Sequence, residues 1–286
     1  MSADESENLF AVLDGIKSVK QLATTVIERE LKRQASSSGL IGLSSSIEDY
    51  DMITDGIEPG DLILIASPPG AGKSSIALQI CAHIATSEGR PVAMFIYDQS
   101  ANNVFTRLVV NHENIDINRL RYSIPEEYSK FENGVSKLAD APLFIEAPCQ
   151  QTFEDLLKKC RVLKNVIPEL SLILVDDIQG FLKFANADTD GAVISNSLKD
   201  LAIETQTAII ACSQFSQDAE LREDKRPTLR DLRQWGKLEQ SADVVCGIYK
   251  ESYYNPNSPN PYLMEIDILK NTKGNLTSFE VISLKY

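Results

Sequence analysis

Ser67-Pro68-Pro69-Gly70-Ala71-Gly72-Lys73-Ser74 follows the apolar run Leu62 to Ala66 and leads into Ser75-Ile76-Ala77-Leu78-Gln79-Ile80. That order reads as a buried strand, a tight loop and the start of a helix. Gly70 and Gly72 carry no side chain, so backbone N–H groups can close around phosphate oxygens at the positive end of the new helix. The candidate nucleotide-binding residues are therefore Pro69, Gly70, Ala71, Gly72, Lys73, Ser74 and Ser75. Lys73 is spaced to reach the β- and γ-phosphates, and Ser74 offers a hydroxyl to Mg²⁺, which takes one or two protein ligands beside the phosphates. ATP and Mg²⁺ are the implied ligands. Ser67 stands where such loops place their first glycine, so the turn is expected to be made by a residue with a Cβ.

The 286 residues allow one large α/β domain with a short extension, and 43% hydrophobic against 24% charged residues describes a globular chain. The apolar runs fall far short of the ~20 residues that cross a bilayer, and the acidic start, Met-Ser-Ala-Asp-Glu-Ser-Glu, is unlike a secretory signal. A cytoplasmic protein with no membrane partner is expected. Five scattered cysteines, Cys81, Cys149, Cys160, Cys212 and Cys246, form no metal-binding spacing and read as buried thiols. A net charge of -13 opposes nucleic-acid binding by bulk electrostatics and leaves room only for local basic patches.

Residues 1–40 read as an acidic N-terminus, an amphipathic helix and a Ser-rich hinge. Phe10, Leu13, Ile16, Val19, Leu22, Val26, Ile27 and Leu31 recur at helical spacing, and Gln34 to Gly39 form the hinge. Such a helix either folds back on its own domain or docks on a neighbouring subunit. From 41 to 286 strands and helices alternate, which implies a mostly parallel sheet covered on both faces. Val244 to Tyr249, Leu263 to Leu269 and Ser278 to Leu284 read as antiparallel strands finishing that sheet.

Leu172-Ile173-Leu174-Val175 is an apolar strand that ends in Asp176 and Asp177, an arrangement that brings a carboxylate to Mg²⁺. Asp176 is the metal-binding candidate with Ser74. Asp177 serves either as a base or as a strand cap. Two further strand ends, at Asp98 and Gln214, should face the same crevice, because ligands of open α/β sheets sit at the carboxyl ends of the strands. A carboxylate there can orient the attacking water and an amide can sense the γ-phosphate. The candidate catalytic set is Asp98, Asp176, Gln214 and Asp177.

These motifs, in this order, resemble the RecA-like motor domain of DnaB-type replicative helicases from about Gly42 onward. Ile57-Glu58-Pro59-Gly60-Asp61 is similar to the entry to the first strand, Phe95 to Ser100 to the catalytic-glutamate motif, and Asp176-Asp177-Ile178-Gln179 to the Walker B segment. Asp224 to Asp243 resembles the family's DNA-facing loop and the helix after it. The resemblance implies an α/β, RecA-like P-loop NTPase core with an N-terminal linker helix that packs on the next subunit of a ring, a hexamer in this family. It also implies that the family's separate N-terminal domain is absent. By the same resemblance Arg233 and the backbone of Gly236 touch single-stranded DNA, Arg230 and Lys237 add charge, and loader or replication proteins are partners. Asp98 replaces the family's glutamate, and Thr272 stands at its arginine finger, leaving Lys270 and Lys273 as trans-acting candidates. Trp235 either stacks on a base or belongs to an interface core. The implied activity is an ATP-dependent helicase or translocase. The alternatives are a degenerate nucleotide-binding assembly partner without motor activity and a RecA-like recombinase or mediator.

Overall fold

The computed structural model describes residues 19–36, 38–148, 151–182 and 190–282. The expected helical start at Phe10, Leu13 and Ile16, Cys149 and the side chain of Trp235 lie outside the described residues. The chain divides into two units, Met1–Ile41 and Gly42–Tyr286. In the first, helix α1 spans Val19–Ala35 and carries Lys32 and Arg33 in its last turn, where the helix dipole favours cations. Its apolar positions Val19, Leu22, Val26, Ile27 and Leu31 are all exposed.

The second unit is built on an eight-stranded sheet of order β3-β2-β4-β5-β1-β6-β7-β8. The strands are β1 (Leu62–Ser67), β2 (Val92–Ile96), β3 (Leu143–Glu146), β4 (Leu172–Asp176), β5 (Ala208–Gln214), β6 (Val244–Tyr249), β7 (Leu263–Asn271) and β8 (Ser278–Ile282). Between them run α2 (Glu48–Thr54), α3 (Lys73–Thr86), α4 (Ala101–His112), α5 (Ile117–Arg121), α6 (Pro125–Ala139), α7 (Phe153–Val166), α8 (Ile178–Leu182), α9 (Gly191–Thr205) and α10 (Glu251–Tyr254). The central strands are apolar without alternation because each buries both faces. Ile63, Ile65, Met94, Leu174 and Ile210 pack on one side with Ile76, Val104 and Leu108 of α3 and α4. Leu62, Leu64, Phe95, Ile173 and Ile209 pack on the other with Leu156 of α7 and Leu198 of α9. Successive side chains of one strand thus serve opposite cores.

The sheet finishes antiparallel as expected, but its first tail strand also joins the parallel set: β7 pairs antiparallel with both β6 and β8, so β7 alone runs against the other strands, while β6 pairs parallel with β1, Ile63 opposite Val244. Asp243 sets that pairing, since its carboxylate accepts from Leu62 N at 2.7 Å and its main-chain N donates to Leu62 O at 2.8 Å. The helix expected after the basic loop is also missing. Leu229–Trp235 forms a 3₁₀ helix, opened by a capping box between Thr228 and Asp231 and closed at Gly236 in the left-handed region, φ 83°.

Candidate functional site

The parallel strands bring their carboxyl ends to one rim. Ser67 of β1 is in register with Gln214 of β5, and Ile96 of β2 with Asp176 of β4. From Ser67 the chain turns through Gly70, φ 77°, and Gly72, φ 115°, and enters α3 at Lys73. A Cβ on Gly72 would lie 2.7 Å from Met264 Sδ and demand a backbone that L-residues avoid. Ser67 carries no such strain: among the described residues it is not one of those with positive φ, and its hydroxyl donates to Pro68 O at 2.7 Å. The strained backbone sits only where glycines stand.

Lys73 is buried, and its Nζ lies 3.9 Å from Asp177 Oδ2. The same oxygen accepts from Gln214 Nε2 at 2.8 Å, while Asp177 Oδ1 accepts from Gly180 N at 3.1 Å. Burial pushes the Asp177 carboxyl above its usual range, opposed by the Gln214 bond and Lys73 and reinforced by the charges of Asp176 and Asp98. Lys73, Gln214 and Asp177 therefore meet at one point, with Asp98 exposed on the loop after β2.

Asp176 is 5% exposed and ends β4 at this rim. Its carboxylate is a hard oxygen donor of the kind Mg²⁺ takes, and Ser74, in the first turn of α3, supplies a second. Among the described residues no group of three or more His, Cys, Asp or Glu forms a metal cage. That donor set fits Mg²⁺, which leaves most of its coordination to phosphate and water.

Two side chains that sequence reasoning passed over complete the rim. Gln179 Nε2 donates to Ser213 Oγ at 2.9 Å and its Oε1 accepts from Gln214 N at 3.2 Å, locking α8 to the end of β5. Arg107 of α4 donates to Gln99 Oε1 at 2.8 Å and to Ser75 Oγ at 3.3 Å. A cation beside a helix N-terminus is electrostatically misplaced unless an anion joins it, so Arg107 adds to the anion-binding character of the loop. No local pattern marks Arg107, whereas Gln179 closes the segment 176–179 that resembles a Walker B motif. Beside the rim opens a cavity of about 410 Å³ lined by Pro69, Gln214, Ser216, Glu220 and Tyr253, among others.

The basic segment is tied to this rim, since Ser216 N donates to Asp231 O at 2.8 Å. Arg230 and Arg233 are exposed and line a groove of about 750 Å³ with Arg222 and Arg226. Arg233 Nε is 3.5 Å from Glu239, and Lys237 is exposed. Gly236 packs so closely on Asp190 that no side chain fits there. Lys270 and Lys273 lie elsewhere. β7 runs antiparallel, so its last residue, Asn271, sits opposite Val244 at the amino end of the parallel strands. Lys270 Nζ donates to Glu239 O at 2.9 Å and Gln240 O at 2.8 Å, and Lys273 Nζ pairs with Glu58 at 2.8 Å and Asp61 at 2.6 Å. Neither serves this chain's own phosphate loop.

The DnaB-like helicase C terminal domain model matches residues 42–285. The replicative DNA helicase DnaB of Geobacillus stearothermophilus is 33% identical over 253 residues, 86% of this chain and 55% of that protein. The DnaB of Haemophilus influenzae is 32% identical over 290 residues, 95% of this chain and 62% of that protein. The chain thus spans somewhat over half the length of these curated relatives. A solved ATPase domain superposes with a TM-score of 0.82 at 25% identity, covering 93% of this chain and 95% of that one. A DnaB-like replicative helicase whose structure was determined with attention to its interactions with primase gives 0.80 at 26% identity, covering 97% and 68%. Among the described residues no helix is long and apolar enough to cross a membrane.

Proposed function

The chain belongs to the DnaB-like helicase C-terminal domain family, and from that premise we propose that it is an ATP-driven motor acting on single-stranded DNA in replication, assembled as a ring. The observation that carries the reading is the convergence of Lys73 and Gln214 on one anionic point beside the buried carboxylate of Asp176. Lys73 and the loop N–H groups bind the phosphates, and Ser74 with Asp176 would hold Mg²⁺, which neutralises charge developing on the transferred phosphoryl group. Asp98, in the segment 95–100 that resembles the family's catalytic-glutamate motif, orients the attacking water. Gln214 senses the terminal phosphate, and the Ser216–Asp231 bond links that strand end to Arg230 and Arg233, which contact the DNA backbone.

Lys270 and Lys273, at the far end of the sheet, would act on a neighbouring subunit's nucleotide, after leaving the carbonyls and carboxylates that now hold them. Replication or loader proteins and a hexameric ring are proposed on family grounds, the two DnaB relatives being named replicative helicases. The shortened Asp98 and the Thr272 position favour one second reading, a nucleotide-binding assembly partner without turnover.

ATP hydrolysis with and without single-stranded DNA separates the two readings. DNA-stimulated turnover that Lys73→Ala abolishes is expected of the motor. Nucleotide binding with no turnover under either condition would overturn it in favour of the assembly partner.

A further inference from the structure

Asp177 Oδ2 is a single carboxylate oxygen that meets both the Lys73 ammonium, at 3.9 Å, and the Gln214 amide, at 2.8 Å. The proposed mechanism assigns Gln214 to the terminal phosphate and Lys73 to the β- and γ-phosphates together. The carboxylate is 5% exposed, and Gly180 N pins its other oxygen at 3.1 Å. An anion of the chain's own thus already engages both phosphate ligands. Lys73 without it would be a buried cation short of a counter-charge at that point, and the partly buried Gln214 would lose this bond, each of which costs free energy.

Gln214 is held on a second side as well. Its main-chain N donates to Gln179 at 3.2 Å, and two residues on Ser216 N donates to Asp231 O at 2.8 Å. The bond that Asp177 makes therefore acts on the amide whose strand end continues into the basic segment.

We infer that Asp177 is an internal stand-in for the γ-phosphate: its carboxylate holds Lys73 and Gln214, and a nucleoside triphosphate must take both from it. This deepens the proposed function and rests on its assignment of nucleotide to the Lys73 loop. Asp177 is here a positioning residue, acting through Lys73 and Gln214. A triphosphate supplies the anion that replaces it, whereas a diphosphate has none to offer Gln214. Departure of the terminal phosphate lets Asp177 recapture the amide.

The test is calorimetric titration with a non-hydrolysable ATP analogue and with ADP, both with Mg²⁺. Asp177→Ala is expected to bind the analogue about tenfold or more tightly than the natural chain, the worth of one charge-assisted hydrogen bond, and the isosteric Asp177→Asn, which loses the charge but still accepts from Gln214, by a smaller factor. ADP should change far less. Because misfolding weakens binding, a gain in affinity cannot come from a damaged fold. The gain should also shrink in a Gln214→Ala background, since a competitor acting through that amide has then lost its object. Unchanged or weaker analogue binding overturns the inference. So does an equal gain for ADP, or a gain that survives intact without Gln214. If the natural chain binds neither nucleotide, the proposed function fails first and takes the inference with it; binding that Lys73→Ala abolishes but Asp177→Ala leaves unchanged fails the inference alone.

Discussion

Asp231→Ala should loosen the basic segment and cost stability that can be worked from its contacts. The carboxylate is 3% exposed and accepts from Arg222 Nη1 at 2.8 Å, Arg222 Nη2 at 3.0 Å, Thr228 N at 2.7 Å and Thr228 Oγ1 at 3.1 Å. Removing one partner of a buried ion pair costs about 3–5 kcal/mol. Arg222, however, has a side chain 34% exposed and also donates to Arg226 O at 2.7 Å, so its stranded guanidinium regains water and part of that cost returns. The lost cap at Thr228 N adds about 1 kcal/mol. A net loss of about 2–3 kcal/mol follows, on the order of 5–10 °C in Tm for a chain of this size. Asp231→Asn, which can still accept from Thr228 N, should lose about half as much. Denaturant unfolding with both variants measures it, and single-stranded DNA affinity should fall more than nucleotide affinity. A midpoint change worth under about 0.5 kcal/mol for Asp231→Ala would refute the reasoning, because a surface substitution does no more.

Arg233→Ala should weaken single-stranded DNA binding and reduce the slope of log K against log salt by about 0.7, the worth of one phosphate contact on a single strand; an unchanged slope would remove Arg233 from the interface. His112 gives a pH test far from the site. Burial holds its imidazole below the usual range against the pull of Glu113, so the unfolded chain binds the proton more readily and stability falls as pH drops from about 6.5 through the lower folded value. His112→Gln should flatten that loss in urea titrations between about pH 7 and 5, and an unaltered slope would place the titration elsewhere.

The phosphate loop was legible because its chemistry is local: eight consecutive residues contain the strand end, the glycines, the lysine and the helix start. The strands β1, β2, β4 and β5 were legible for a similar reason, as each is an apolar run buried on both faces. For β6, the parallel pairing with β1 was not legible. Its apolar run is compatible with either direction, and the deciding contact joins Asp243 to Leu62, 181 residues away in the chain. Arg107 and Gln179 were missed on the same grounds, each acting across an interval that no motif spans.

Ser67 and Asp177 mark the two ways in which a departure from a familiar pattern resolves. At Ser67 the expected strain is absent, since the left-handed backbone begins only at Gly70, and the serine hydroxyl simply bonds the next carbonyl. At Asp177 the extra acid changes the site, because the residue after Asp176 points its carboxylate at Lys73 and Gln214. A second charge there is stabilised by that cation and that amide. On the inferred competition, the present contacts of Asp177 and the proposed response to a terminal phosphate depend on the same three side chains, so altering any one of them must change both together.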